Sequence, residues 1–201
     1  LIVDNFCNAK PAVMQRLKVL TGTDVAVHDV DVRDAGRLDA LFGSARFDAV
    51  IHFAGLKAVG ESVAMPLRYY ENNLGSSFVL LEAMQRHDVR TFVFSSSATV
   101  YGAGAVSPMN EDAPTSATNP YGWTKVMIEQ VLRDVAARMP DLAVALLRYF
   151  NPVGAHPSGL IGEDPLGVPS NLVPALAQIA VGRMRGFFRI LPLVHPPGLF
   201  Q

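Results

Sequence analysis

The sequence predicts an α/β protein built on a doubly wound parallel sheet. Short apolar runs of strand type alternate with stretches of helical periodicity up to Phe150, the pattern that βαβ units leave in a chain. The runs are of the buried type that strands covered on both faces show. Asp4 and Ser95-Ser96-Ser97 stand at strand ends, on the side of such a sheet where ligands bind.

Leu1-Ile2-Val3 reads as a strand already under way, ending at Asp4-Asn5. A short helix and loop carrying Val13, Leu17, Val19 and Leu20 follow. Val25 to His28 is the second strand, followed by Asp29, Asp31 and a helical stretch from Ala35 to Ala45. Asp48 to Gly55 is a third strand closing on a tight turn. Arg68 to Glu71 and Asn72 to His87 are helical, the second with Phe78, Leu81 and Met84 at helical spacing. Thr91 to Ser95 is a strand, the segment from Tyr121 through Val135 a helix, and Leu142 to Phe150 the last strand. From Asn151 the composition changes: eight of the 14 prolines lie there, so the regular alternation stops. One helix, roughly Leu172 to Val181, is expected inside that region.

A chain of 201 residues fits one domain, or one and part of another. Its formal charge of −1 supplies no basic surface, which argues against a nucleic-acid partner. The single cysteine, Cys7, rules out an intrachain disulfide and a multi-cysteine metal site. It reads as a passive thiol and fits a reducing compartment, the cytoplasm; no metal is expected. No apolar run reaches the roughly 18 residues that a membrane span needs, and no signal-peptide pattern opens the chain. Charged residues make up 17%, below the roughly 25% of ordinary soluble domains. A sheet buried on both faces gives that bias, and so does a fragment separated from its neighbours.

The chemistry is concentrated in Asn119-Pro120-Tyr121-Gly122-Trp123-Thr124-Lys125. Met127, Ile128, Val131, Leu132 and Val135 continue it with helical periodicity, so one helical face carries both Tyr121 and Lys125. A phenol with a pKa near 10 is only about 0.1% ionised at neutral pH. Holding it as phenolate costs roughly 4 kcal/mol, which a fixed neighbouring cation offsets in large part. Serine hydroxyls at a strand end, Ser97 among them, can clamp a substrate hydroxyl alongside. A phenolate base, a cation and a hydroxyl suit proton removal from an alcohol coupled to hydride loss at its carbon. Tyr-x-x-x-Lys alone also describes an ordinary helix start with a solvated lysine; the serine strand and the nucleotide-type sheet around it favour the chemical reading.

Asp4 ends a strand where an acid bonds a ribose hydroxyl, about 20 residues after a glycine-rich pyrophosphate loop. Such a loop would precede Leu1, so the loop and the first strand are expected to be missing from this chain. Asp4 before Asn5 is equally readable as a turn former. Asp31-Val32 follows the second strand and can reach an adenine edge, or be a solvated loop acid. Phe53-Ala54-Gly55 ends the third strand with small residues that let a cofactor approach the backbone. His52 reads as a packed strand residue.

Four ordered motifs make the pattern specific. They are Phe53-Ala54-Gly55-Leu56-Lys57-Ala58-Val59-Gly60-Glu61-Ser62, Ser95-Ser96-Ser97-Ala98-Thr99-Val100-Tyr101-Gly102, Tyr121-x-x-x-Lys125 and Leu147-Arg148-Tyr149-Phe150-Asn151-Pro152-Val153-Gly154-Ala155-His156. Over about residues 1 to 182 the chain resembles the UDP-glucose 4-epimerases, a Rossmann-like family of the extended short-chain dehydrogenases/reductases. The resemblance implies NAD as cofactor and a UDP-hexose as substrate. It makes Tyr121 the active-site base, Lys125 the residue that holds the nicotinamide ribose and lowers the tyrosine pKa, and Ser97 the partner of the sugar hydroxyl. It places Asp4, Asn5, Asp31, Val32, Phe53, Ala54, Lys57 and Asn72 around NAD, together with Tyr121 and Lys125. Phe150, Asn151, Asn171 and Leu172 join Ser97 and Tyr121 around the UDP-sugar. In this family NAD takes hydride from C4, the keto sugar turns over, and the hydride returns to the other face. A role in galactose metabolism and a homodimer follow from the same resemblance.

The expected organisation is an NAD-binding domain over 1–150, the start of a substrate region over 151–182, and a tail, 183–201, that does not match the family. Lacking the glycine loop and a family-like tail, the chain is expected to hold NAD weakly and to be inactive. Three alternatives accompany this reading. A nucleotide-sugar 4,6-dehydratase needs an acid just after Ser97, where Ala98-Thr99 stand. A simple short-chain dehydrogenase leaves Asn151 to His156 without a purpose. A non-catalytic fragment is the third.

Overall fold

The structure, a computed structural model, describes residues 1–164, 166, 169 and 171–184. Along the chain the elements run β1 (Ile2–Asp4), α1 (Ala12–Thr21), β2 (Val27–Asp29), α2 (Ala35–Ser44), β3 (Val50–His52), α3 (Val59–Ala64), α4 (Pro66–Arg86), β4 (Thr91–Ser97), a 3₁₀ turn (Ala98–Tyr101), α5 (Pro120–Arg138), β5 (Ala143–Tyr149) and α6 (Leu172–Ala180). They form two units. The larger is Ile2–Asn5 with Val27–Phe150, and the smaller is Leu1, Phe6–Ala26 and the chain from Asn151.

All strands of the larger unit are parallel, as the βαβ pattern requires. β1 pairs β2 with Val3 opposite His28, while β3, β4 and β5 form a second sheet in that order. In the second sheet Val50, Phe92 and Val144 share a rung, as do His52, Phe94 and Leu146. These rungs alternate with Ile51-Val93-Ala145, so the two sets point to opposite faces. The first set packs against Leu38 and Phe42 of α2, Leu80, Ala83 and Met84 of α4, and Ile128 and Leu132 of α5. Burying each of these large apolar side chains contributes about 1.5–3 kcal/mol. The opposite face is open at Ile51, which is 62% exposed.

Local chemistry explains most element ends. The Asp34 carboxylate accepts from the Arg37 amide and starts α2, and Gly22 at φ 68° ends α1. Pro66 occupies the first turn of α4, where a missing N–H costs nothing. With no breaker after it, the two helical stretches expected from Arg68 to His87 form one helix. β2 starts at Val27, two residues later than expected, and β3 spans only Val50–His52; β4 runs on to Ser97. Helix α3 has no clear apolar period and was not legible. In the smaller unit Lys10 pairs with Asp164 at 2.6 Å, and Arg16 donates to the Leu160 carbonyl at 3.2 Å. Among the described residues no helix is long and apolar enough to cross a membrane. Of the tail expected over 183–201, residues 185–201 lie outside the described residues.

Candidate active site

The site is assembled where β4 ends and α5 begins. The Asn119 side chain accepts from the Gly122 amide at 2.9 Å and Pro120 fills the first helical position, so Tyr121 falls in the first turn and Lys125 one turn on. Gly122 is required by close approach: a Cβ there would come within 3.0 Å of the Ala117 Cβ and 3.4 Å of the Thr99 carbonyl oxygen. Its absence lets α5 lie against the 3₁₀ turn. Ser97, the last residue of β4, accepts from the Thr99 amide at 3.2 Å. The same hydroxyl neighbours the Tyr121 phenol and favours its ionised form. Beside it, Thr99 Oγ1 is buried and has no hydrogen-bond partner among the described residues.

Lys125 is only 6% exposed. Its Nζ donates to the Ser95 carbonyl at 2.8 Å and lies 4.8 Å from the Phe94 ring centroid and 5.8 Å from that of Tyr121. Burial lowers the ammonium from 10.5 to about 8. The Tyr121 phenol is held above its ordinary value, because burial outweighs the opposing influence of the Ser97 hydroxyl. The Lys125 ammonium is directed to a main-chain carbonyl, and desolvation sets the direction of the phenol's shift.

His52 is buried, with Nε2 3.2 Å from Ser77 Oγ, which itself donates to the Asn73 carbonyl at 2.9 Å. The Ser77 hydroxyl thus links the ring nitrogen to the Asn73 carbonyl. Burial, and then the Lys125 charge, push its pKa down to about 3. It is a neutral packed residue, as read. Asn73, only 2% exposed, clasps Leu56 through both main-chain groups, accepting from its N–H at 2.8 Å and donating to its C=O at 3.0 Å. The same Nδ2 reaches Thr124 Oγ1 at 3.1 Å, and Thr124 Oγ1 donates to the Tyr121 carbonyl at 2.7 Å. One amide therefore ties the loop after β3 to the first turn of α5.

Of the residues expected around a nucleotide, Asp4-Asn5, Asp31-Val32 and Phe53-Ala54 lie at or just beyond the carboxyl ends of β1, β2 and β3, whereas Asn72 lies on α4. Asp4 ends β1, and its main-chain oxygen accepts from Val30 at 3.2 Å. Arg33 grips Asp31 through Nε at 3.0 Å and a terminal nitrogen at 2.8 Å, and Asn5 adds a bond at 3.1 Å. This Arg33 fork holds the Asp31 carboxyl well below the usual carboxylate range. It is no loose loop acid, and the Val32 side chain belongs to the core. Phe53 is exposed after β3, its ring 6.3 Å from that of Tyr149. Ala54 and Lys57 flank Gly55, whose φ of 155° belongs to glycine. Asn72 donates to Asn73 Oδ1 at 3.0 Å. Phe150 is exposed beyond β5.

Asn151, Asn171 and Leu172 belong to the smaller unit. Asn171 precedes α6 and donates to Glu163 at 2.6 Å; Leu172 opens the helix, exposed. No group of three or more His, Cys, Asp or Glu among the described residues is arranged to hold a metal ion. Sequence reasoning missed Asn73 and the buried Glu129. Their signals were present: an amide adjoining Asn72, and a lone carboxylate one turn beyond Lys125 on the buried face of α5.

A strand-end serine, a first-turn tyrosine and a buried lysine on a parallel α/β scaffold define a class of nucleotide-dependent oxidoreductase-type folds. The chain belongs to the NAD dependent epimerase/dehydratase family, whose model matches residues 2–186. Within it, the chain is 54% identical over 184 residues to the UDP-glucose 4-epimerase of Bacillus subtilis, covering 92% of this chain and 54% of that protein. The crystal structure of UDP-glucose 4-epimerase from Bifidobacterium longum in complex with NAD+ and UDP matches with a TM-score of 0.89 at 53% identity, over 92% of this chain and 56% of that one. The Stenotrophomonas maltophila enzyme, with bound NAD and formylated UDP-arabinopyranose, matches at 0.87 and 50% identity, over 91% and 55%. The chain thus spans about half the length of the curated relatives it matches.

Proposed function

We propose that the protein carrying this chain interconverts UDP-glucose and UDP-galactose with NAD as its resident cofactor. The observation that carries the reading is the buried Lys125, one turn along α5 from Tyr121 with its Nζ 5.8 Å from that ring's centroid, beside the strand that Ser97 ends. Sequence likeness of about half to proteins named UDP-glucose 4-epimerase supports it.

The residues fit the cofactor. Small Ala54 and Gly55 give backbone access, Phe53 offers an exposed ring, and Asp4 and Asn5 stand at a strand end suited to a ribose. Asp31 and the main chain at Val32 would lie beside the adenine, with Lys57, Asn72 and Lys125 completing the set. Bound NAD would supply the hydride acceptor and donor at C4. The chain's own part is proton chemistry. Tyr121 takes the proton from the sugar hydroxyl and later returns it, while Ser97 orients that hydroxyl. Because burial disfavours phenolate, ionisation needs a nearby cation, which Lys125 supplies when drawn toward a bound ribose. Phe150, Asn151, Asn171 and Leu172 are assigned to the UDP-sugar, and the domain divisions 1–150 and 151–182 follow the same assignment.

A homodimer is part of the reading. The half-exposed Phe78 on α4 and the apolar Val131 on α5 line a groove between those helices that a second copy's helices would fill. Neither nucleic acid nor membrane is needed, and the cytoplasm suits an exposed Cys7 and nucleotide-sugar substrates of galactose metabolism. The test is turnover of UDP-galactose by the full-length protein that contains this chain. Formation of UDP-glucose without net NADH supports the proposal; release of a 4-keto-6-deoxy sugar, or no turnover, overturns it.

A further inference from the structure

Glu129 is completely buried and carries a charge that the proton chemistry above does not use. It lies on α5 one turn beyond Lys125. Arg148 of β5, whose side chain is 10% exposed, grips its carboxylate with two bonds, from Nε at 3.0 Å and from a terminal nitrogen at 2.8 Å. Ser96 Oγ of β4 donates to Oε1 at 2.6 Å. Arg133, with its side chain 45% exposed, adds a third donor at 2.8 Å. Despite burial, the Arg148 and Ser96 hydrogen bonds hold the carboxyl below its ordinary range, so it is an anion.

What this carboxylate joins is specific. Ser96 and Arg148 are register partners on adjacent strands, and Glu129 closes both onto the helix. Ser96 lies between Ser95, whose carbonyl accepts from Lys125, and Ser97, whose hydroxyl meets Tyr121. Arg148 goes on to the Glu111 carbonyl at 2.9 Å, and its guanidinium carbon lies 4.9 Å from the Tyr101 ring centroid in the 3₁₀ turn. One anion therefore braces the strand end, the turn after it, the loop that leads into α5 and α5 itself. A single-chain anchor would need only one of these bonds.

We propose that Glu129, acting through Ser96 and Arg148, is a positioning residue that fixes Ser97 relative to Tyr121 and Lys125. This rests on the epimerase reading for its kinetic consequence, although the geometric consequence stands without it. Misplacement of reacting groups by about 1 Å costs on the order of 10²-fold in rate. Loss of the brace therefore acts on turnover more than on substrate affinity, since the fully buried carboxylate offers no surface to a ligand.

The experiment compares Ser96→Ala, Glu129→Gln and Arg133→Ala in the full-length protein. Ser96→Ala removes the strand contact without stranding a charge, so it stays informative if Glu129→Gln fails to fold. Per folded molecule, kcat with UDP-galactose should fall about 10–100-fold in the first two, with KM changed less than about twofold. Arg133→Ala should stay within about twofold. Amide exchange is followed in parallel at Thr99, whose acceptor is Ser97, and at Gly122, whose acceptor is Asn119. Both should exchange at least about tenfold faster in Ser96→Ala while α4 is unchanged. Wild-type kcat and exchange in Ser96→Ala would overturn the proposal, as would losses that track the folded fraction alone. If the wild-type protein turns over no UDP-galactose, the functional reading fails, and the exchange result decides the positioning role by itself.

Discussion

The Lys125 ammonium and the Ser95 carbonyl are 2.8 Å apart, a buried cation held by main chain two residues before Ser97. That contact gives the lysine a resting partner that is not the phenol. It makes the site's charge state depend on what draws Lys125 away.

Tyr121→Phe in the full-length protein should lower UDP-galactose turnover by about 10²–10⁴-fold while leaving UDP binding within a few-fold. Steady-state kinetics beside calorimetric titration with UDP checks this. A loss below tenfold would remove Tyr121 as the base.

Lys125 also sets a stability signature. Its folded pKa, about 8, lies below 10.5, so burying the charge destabilises the fold at all pH values below about 8. As pH rises from about 8 to 10.5 the unfolded chain binds the extra proton, and stability should climb by about 3 kcal/mol. Lys125→Met should flatten that climb, as measured by urea unfolding at stepped pH.

His52 does the same at acid pH. It stays neutral in the fold down to about 3, whereas the unfolded side chain takes a proton near 6.5. Stability should therefore fall between about pH 6.5 and 3, by on the order of 5 kcal/mol from this group. In His52→Gln the midpoint of acid unfolding should move to lower pH, read by circular dichroism.

Asn73→Asp keeps the acceptor and removes both Nδ2 donations, to Leu56 and Thr124. It should loosen NAD and slow turnover together, with a stability loss of about 1–3 kcal/mol from the unpaired buried groups. Cofactor retention after gel filtration, set against denaturant unfolding, is the check. Unchanged retention would sever the link drawn between the Leu56 loop and α5.

Gly102→Ala should destabilise by about 1–3 kcal/mol. Its φ is 67°, and an added Cβ would meet Ser116 Oγ at 2.2 Å. Ser116→Ala should recover part of the loss in the double variant by relieving the contact, leaving the backbone cost.

Tyr121, Lys125 and Ser97 were legible because their placement depends on local rules: a proline-asparagine start, a four-residue turn and a strand end. The parallel order followed from alternation alone. The two-sheet grouping did not, because pairing depends on which strands meet in space. Helix α3 lacks a period, and its buried Ser62 shows no outward sign in the sequence. The burial of the Tyr121 phenol was not legible for a tertiary reason, since spacing shows a neighbouring cation but not how dry the phenol is. The amide of Asn73 and the carboxylate of Glu129 were visible as residues and invisible as braces; the partners on other elements that make them braces lie 17 to 51 and 19 to 33 positions away.

The chain leaves the 3₁₀ turn and reaches α5 by an excursion that is pinched shut before it arrives. The Ser116 amide donates to the Val100 carbonyl at 2.7 Å, and Arg148 holds the Glu111 carbonyl. The span 103–110 is thereby mechanically uncoupled from the chemistry: its ends are set by these pins, whatever its length. Doubling such a loop adds only about 0.6 kcal/mol of closure entropy. Length variation among relatives should accumulate there, and an epitope or fluorophore-bearing peptide grafted into it should leave the distance from Ser97 to Tyr121 untouched.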